Sequence, residues 1–257
     1  MVLDFLRSLS VRNPVLYYGG LVSFFCAVVF IFIALVDHRQ VLGVNAFIKP
    51  IKFFLSIGIF CWTMAWYLTL LAGQRATAIR WYSWMVVIVF TIEMLVIAMQ
   101  PFRGQLSHFN VSTPLNGMLF SLMGIAIVTL TTWTLVTGIW FWRSPAPEGY
   151  PAGFWWGIRL GIVLFVIFSF EGMIMAQRLQ HTVGAPDGGD GLPLLNWSKQ
   201  HGDLRVAHFV GIHALQVLPL LGHFLLKRPA HILLGALVYA SFAAWLFLRA
   251  MAGTPLV

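Results

Sequence analysis

The sequence predicts an all-α, polytopic membrane protein with seven transmembrane helices in one bundle. Three observations lead there. Of the 257 residues, 60% are hydrophobic and only 9% charged, with a mean hydropathy of +0.85, whereas a soluble domain carries about 25% charged residues. Seven apolar stretches each reach the ~20 residues that a helix needs to cross hydrocarbon. Inside those stretches polar residues are rare, and Glu93 and Glu171 are the only acidic ones that lie deep.

The spans fall at about 15–36, 47–72, 81–100, 114–142, 155–177, 204–226 and 230–250. Residues 1–14 are short and mixed; no cleavable signal peptide is visible, and the first apolar run reads as a retained helix. Pro50 suits the first turn of the second helix. Spans two and four exceed the minimum length and are expected to tilt or extend past the bilayer. Most connections are short. The exception is 178–203, rich in Gly, Pro and Asp, which carries Leu194, Leu195 and Trp197 and is expected to fold back over the bundle as a lid. No internal repeat is visible, so an inverted-repeat transporter finds no support. The chain reads as a single domain, 1–257.

Charge bears on partners and orientation. The net +8 arises from Lys and Arg scattered singly over the loops, with no basic run or stripe, which argues for lipid headgroups and against nucleic acid. Cys26 and Cys61 lie within apolar spans and form neither a disulfide framework nor a CxxC. Each side of the membrane receives eight Lys and Arg when counted to the helix ends. Lys49, Lys52 and Arg205 look built into helices. Discounting them puts the amino terminus on the cytoplasmic side, and the carboxyl terminus and the 178–203 loop on the outer side.

The polar residues converge in depth. Glu93 is seven residues before Gln100 and Glu171 seven before Arg178, which puts each carboxylate about 10 Å below its helix exit. His208 and His213 lie about 5 and 12 Å inside Arg205. On span six, Arg205, His208, His213, Gln216 and His223 fall within an arc of about 140°, one polar face on an otherwise apolar helix. Span two carries Lys49, Lys52, Ser56 and Thr63 at helical spacing, and span five continues from Glu171 to Arg178 and His181 on one face. His108 and Arg103 add polar groups at the rim.

An ionisable group inside a membrane is costly and marks a functional hypothesis. Four readings compete. Glu and His are ligands that iron, zinc or manganese accept, so Glu93, Glu171, His208 and His213, with His108 and His181 at the rim, form a candidate metal site. The ExxH spacing of dinuclear helical bundles is missing. The same residues with Lys52 read alternatively as a proton or ion relay. A bis-histidine haem b comes third, because helices one to five lack a mid-membrane His. The fourth is a purely architectural network between helices. His38 and His231 read as interfacial residues, and His223 as a rim residue. Asp203 reads as an N-cap, and Asp187 and Asp190 as turn residues.

Several familiar classes are excluded. Span seven has no lysine for a retinal Schiff base, the helical HxxxH pair of seven-helix metal hydrolases is absent, and there is no P-loop, GxGxxG, GxSxG, HExxH or CxxCH. The run GLPLLNWSKQHGDLRVAHFVGIHALQ (191–216), with VNAFIKPIKF, FRGQLSHFN and HTVGAPDGGDG, resembles a group of uncharacterised bacterial multi-pass membrane proteins over most of the chain. That resemblance implies a seven-helix inner-membrane protein and no activity.

The sequence therefore leads first to an intramembrane metal-dependent enzyme, hydrolase or oxidoreductase, acting on a small or lipid-like membrane-soluble substrate. Glu93, Glu171 and Lys52 would be its acid, base or charge-balancing groups. Lys49, Arg103, Arg178, Asn196, Arg205 and Gln216 would contact substrate. A proton-coupled transporter or channel is the alternative.

Overall fold

The computed structural model describes residues 2–256. It is all-α: α1 (Val2–Arg12), α2 (Pro14–Val36), α3 (Ile48–Thr69), α4 (Ala72–Phe102), α5 (Pro114–Arg143), α6 (Ala152–Arg178), α7 (Leu204–Phe224) and α8 (Pro229–Met251), with two short antiparallel strand pairs, β1 (Gln40–Val41) with β2 (Val44–Asn45) and β3 (Thr182–Val183) with β4 (Gly202–Asp203). Seven helices are long and apolar enough to cross a membrane, the third running from Arg75, where the backbone kinks, to Phe102. The protein is a multi-pass membrane protein. Its spans start and stop where the apolar runs do, because hydrocarbon leaves the backbone no partner but itself.

α1 is the element not expected from the sequence. Residues 2–12 are too short and mixed to register as a span, yet they form an amphipathic helix that buries Leu9 and sets Phe5 edge-on to Trp66 at 5.7 Å. Asn13 ends it and starts α2: its Oδ1 accepts from Leu16 N–H at 3.2 Å while its Nδ2 donates to Ser83 Oγ at 3.0 Å.

The chain divides into two compact units, one reaching Leu130 and one beginning at Thr131, with α5 passing from the first into the second. In the first, α2 and α3 approach closely. A Cβ on Gly20 would lie 2.5 Å from Trp62 Cδ1 and one on Gly58 2.6 Å from Phe24 Cε1, while the Trp62 indole donates to Tyr17 O at 3.0 Å.

In the second unit α6 and α7 meet backbone to backbone. Gly153, Gly157 and Gly161 recur every four residues along α6. A Cβ at each would stand 2.0 Å from Leu226 O, 2.6 Å from Leu218 O and 2.8 Å from Ala214 O. From the other side a Cβ on Gly222 would meet Gly153 O at 2.1 Å, and Gly211 makes room for the Phe168 ring. Small residues at i, i+4 and i+8 let helices touch where lipid offers no hydrophobic driving force between them. Arg159, in the same stretch of α6, donates from Nε to Phe141 O and from Nη2 to Ser144 O, both at 3.0 Å, satisfying the carbonyl end of α5. Its guanidinium lies 5.1 to 5.7 Å from the rings of Trp142, Trp155 and Trp156.

The 178–203 connection is ordered. β3 pairs with β4, Gly191 bridges Ser198, and Trp197 packs edge-on to Phe209 of α7 at 5.6 Å beside the apolar cluster of Phe168, Val206 and Leu246. Gly202 lets β4 lie on the end of α8, where a Cβ would be 2.0 Å from Ala250 O.

Candidate functional site

The site that the structure builds most completely lies between α6 and α7. Glu171 is 9% exposed, one turn beyond Phe168, and its Oε2 lies 3.2 Å from His208 Nδ1. Gly172, the next residue, creates the space: a Cβ there would sit 3.1 Å from His208 Cε1. His208 Nδ1 is also 2.7 Å from Phe168 O. A carbonyl only accepts, so Nδ1 carries hydrogen and donates it there, which leaves Nε2 as the ring's exchangeable position. The 3.2 Å approach to Glu171 is an ion-pair distance, but that hydrogen is already given to the shorter contact. Accordingly, among the described residues, neither carboxyl oxygen of Glu171 receives a hydrogen bond. A buried carboxyl without a donor is costly as an anion.

His213, one and a half turns further along α7, repeats the device. Its Nδ1 donates to Phe209 O at 2.7 Å and its ring lies 4.1 Å from that of Phe209, again freeing Nε2. Anchoring one ring nitrogen on a backbone carbonyl is how proteins orient imidazoles that carry protons or hold metals with the other.

The rest of the α7 stripe serves other ends. The Arg205 guanidinium clasps the Asp203 carboxylate, with Nε to Oδ1 at 2.9 Å and Nη2 to Oδ2 at 2.6 Å, and also donates to Asn196 O. Asp203 is the N-cap of α7, accepting from Arg205 N–H, and it accepts from Ser198 N–H as well. Burial pushes the Asp203 carboxyl toward a higher pKa, but the Arg205 hydrogen bonds and charge, His181 and the Ser198 amide outweigh it and hold it below the usual carboxylate range. His181 stands 3.1 Å from Asp187 and 3.8 Å from Asp203. Asp187 in turn accepts from the amides of His181 and Thr182, the turn chemistry expected for it. Gln216 lies half-buried on α7, and Arg178 is exposed at the end of α6. At the far end of α7, His223 sits among Tyr150, Phe154 and Phe224 with its Nδ1 buried and without a hydrogen bond.

Four of the expected groups, together with Lys52 on α3, belong to the first unit. Glu93 on α4 is 3% exposed, its Oε1 without a hydrogen bond, and the Lys49 ammonium acts on it electrostatically from the first turn of α3. Lys49 also lies 5.8 Å from the Phe53 ring. His108 has Nδ1 at 3.1 Å from Ser107 Oγ and leans over Phe53 at 5.5 Å. Arg103 donates to Gln100 Oε1 at 2.9 Å and to Asn116 Oδ1 at 3.3 Å, part of an amide cluster that includes Gln105 and Asn110. The amide cluster, buried at Gln100, Asn110 and Asn116, is a feature that sequence reasoning missed. Four Asn and Gln within 100–116 were its only signal.

The metal expectation finds no matching donor set: among the described residues no three His, Cys, Asp or Glu side chains gather closely enough to hold an ion. The physical reason on α7 is plain. His208 and His213 are five residues apart and leave the helix about 140° from each other, so Glu171 pairs with the first.

No family model, curated protein or solved structure matches the chain.

Proposed function

We propose that the protein is a proton-coupled membrane transporter or channel in which Glu171 and His208 carry the proton. The observation behind this reading is the buried Glu171 carboxyl with no hydrogen-bond donor, 3.2 Å from an imidazole whose other nitrogen is unconstrained. Glu−/His+ and neutral Glu/neutral His have the same net charge, so a proton passed between the two leaves the charge buried there unchanged. His213 is the next imidazole along α7 able to receive it, and Glu93 with Lys49 and Lys52 would supply a like group from the first unit. The test is proton flux into proteoliposomes under an imposed potential, followed with an internal pH-sensitive dye. Glu171→Gln and His208→Ala are expected to cut flux about tenfold or more. Unchanged flux in Glu171→Gln would end this reading.

A second reading, the intramembrane metal-dependent hydrolase or oxidoreductase acting on a membrane-soluble substrate, is favoured by one observation. Both imidazoles present a free Nε2 behind an anchored Nδ1–H, as metal ligands do. Iron, zinc or manganese at about one equivalent in protein purified without chelators, lost in a His208→Ala/His213→Ala double variant, would put this reading first. A Soret band in the same sample would favour haem b. We infer a cytoplasmic amino terminus from the charge distribution discounted for built-in Lys49, Lys52 and Arg205, and a bacterial inner membrane from the resemblance to uncharacterised bacterial multi-pass proteins.

A further inference from the structure

The 178–203 connection encloses a pocket of about 310 Å³ against the start of α7, lined among others by His181, Asp187, Asn196, Ser198, His201 and Arg205. That volume lies at the small end of the range for specific small-molecule sites. Its walls divide sharply into spent and unspent groups. The carboxylates are spent: Asp187 accepts from two backbone amides and faces the His181 ring, and Asp203 behind Arg205 accepts from two amides and the guanidinium. What remains is mostly donor capacity. Arg205 uses Nε and Nη2, leaving both hydrogens of Nη1. The Ser198 hydroxyl accepts from the amides of Gln200 and His201 and keeps its own hydrogen. The His201 ring, packed 3.5 Å from where a Gly184 Cβ would be, makes no hydrogen bond among the described residues.

A wall whose carboxylates are already engaged and whose Arg205, Ser198 and His201 donors are open favours an acceptor-rich guest. We propose that this pocket binds an oxyanion, a phosphate or carboxylate group, held by Arg205 Nη1, His201 and Ser198. The backbone supports the same reading. Asn196 sits in the left-handed region at φ 55°, which turns its carbonyl onto Arg205 and fixes the guanidinium. Gly184 at φ 100° brings the turn under His201 without a side chain in the way. The inference uses none of Glu171, His208 or His213, so it stands or falls apart from the proton reading.

The group could belong to a soluble molecule or to a phospholipid, because the pocket lies at the membrane end of α6 and α7. The test uses the full chain in nanodiscs. In phosphatidylcholine discs, inorganic phosphate is titrated calorimetrically into wild type, His201→Ala and His201→Glu. Replacing phosphatidylcholine by phosphatidylglycerol and following the thermal midpoint gives the lipid arm. His201 is the chosen position because its ring holds nothing in the fold, and an unchanged protease pattern across the loop verifies that each variant is folded. Phosphate binding weakened about tenfold by His201→Ala, the loss of one charged hydrogen bond, and abolished by His201→Glu supports a soluble oxyanion. A midpoint raised by phosphatidylglycerol in wild type but not in His201→Glu supports a lipid phosphate. Neither effect in wild type, or either effect at full strength in folded His201→Glu, overturns the proposal.

Discussion

Arg205 and Asp203 form a two-point clasp, Nε to Oδ1 and Nη2 to Oδ2, and the same carboxylate caps α7 and holds the Ser198 amide. One side chain thus fastens the long connection to the helix on which His208 and His213 stand. Asp203→Ala is expected to cost about 2 kcal/mol or more, an N-cap plus an abandoned guanidinium. Limited proteolysis would show it as cleavage between residues 181 and 203 that wild type resists.

The same clasp has a defined pH dependence. The folded Asp203 pKa is depressed, with burial opposing and Arg205 prevailing. Its stabilising contribution is therefore complete above the unfolded value of about 3.9 and is lost as pH falls through the lower, folded value. Loop protection measured by hydrogen exchange should hold constant from neutrality down to about pH 4 and fall below it. In Asp203→Asn that decline should be absent, with protection lower throughout.

Arg159 should tolerate no basic substitute. A lysine at this position would place a single ammonium where two N–H groups now reach Phe141 O and Ser144 O, and it would lose the flat stacking surface against the tryptophans. Arg159→Lys is expected to lower thermal stability nearly as far as Arg159→Ala, by about 2 kcal/mol. Full rescue by lysine would show that charge alone matters there.

Gly157→Leu tests the contact between α6 and α7. A Cβ at that position already falls 2.6 Å from Leu218 O, and a backbone atom cannot swing aside as a side chain would. A cost of at least about 3 kcal/mol is expected, beyond ordinary overpacking, and detergent unfolding followed by circular dichroism would measure it. Gly73→Leu, where a Cβ meets nothing within 4 Å, is the matched control.

What could be read from the sequence follows the physics that acts locally. The spans were legible because the bilayer imposes a length and a composition on each one separately. Asp203 as an N-cap was legible because a cap needs only its own helix. The depth of Glu171 and His208 could be counted, since rise per residue is fixed. Their pairing could not, because it depends on the room that Gly172 leaves and on Phe168 O, neither of which depth encodes. That Arg205 gives Nε and Nη2 to Asp203 and Asn196 could not be counted either, since those bonds depend on how the 178–203 connection folds back onto α7. The Gly153, Gly157, Gly161 spacing is visible in the chain, yet its meaning rests on the carbonyls of another helix. α1 escaped notice because eleven mixed residues meet no membrane criterion, and only Leu9 and Phe5 against their neighbours explain it.

The glycine seam has a mechanical corollary. Where carbonyl oxygens of one rod sit in notches cut into the other, neither rod can slide lengthwise or roll without first being lifted clear. α6 and α7 are therefore geared together, and Glu171 travels wherever His208 travels. Any motion of this helix pair would keep the two side chains at constant separation and change instead what each can reach.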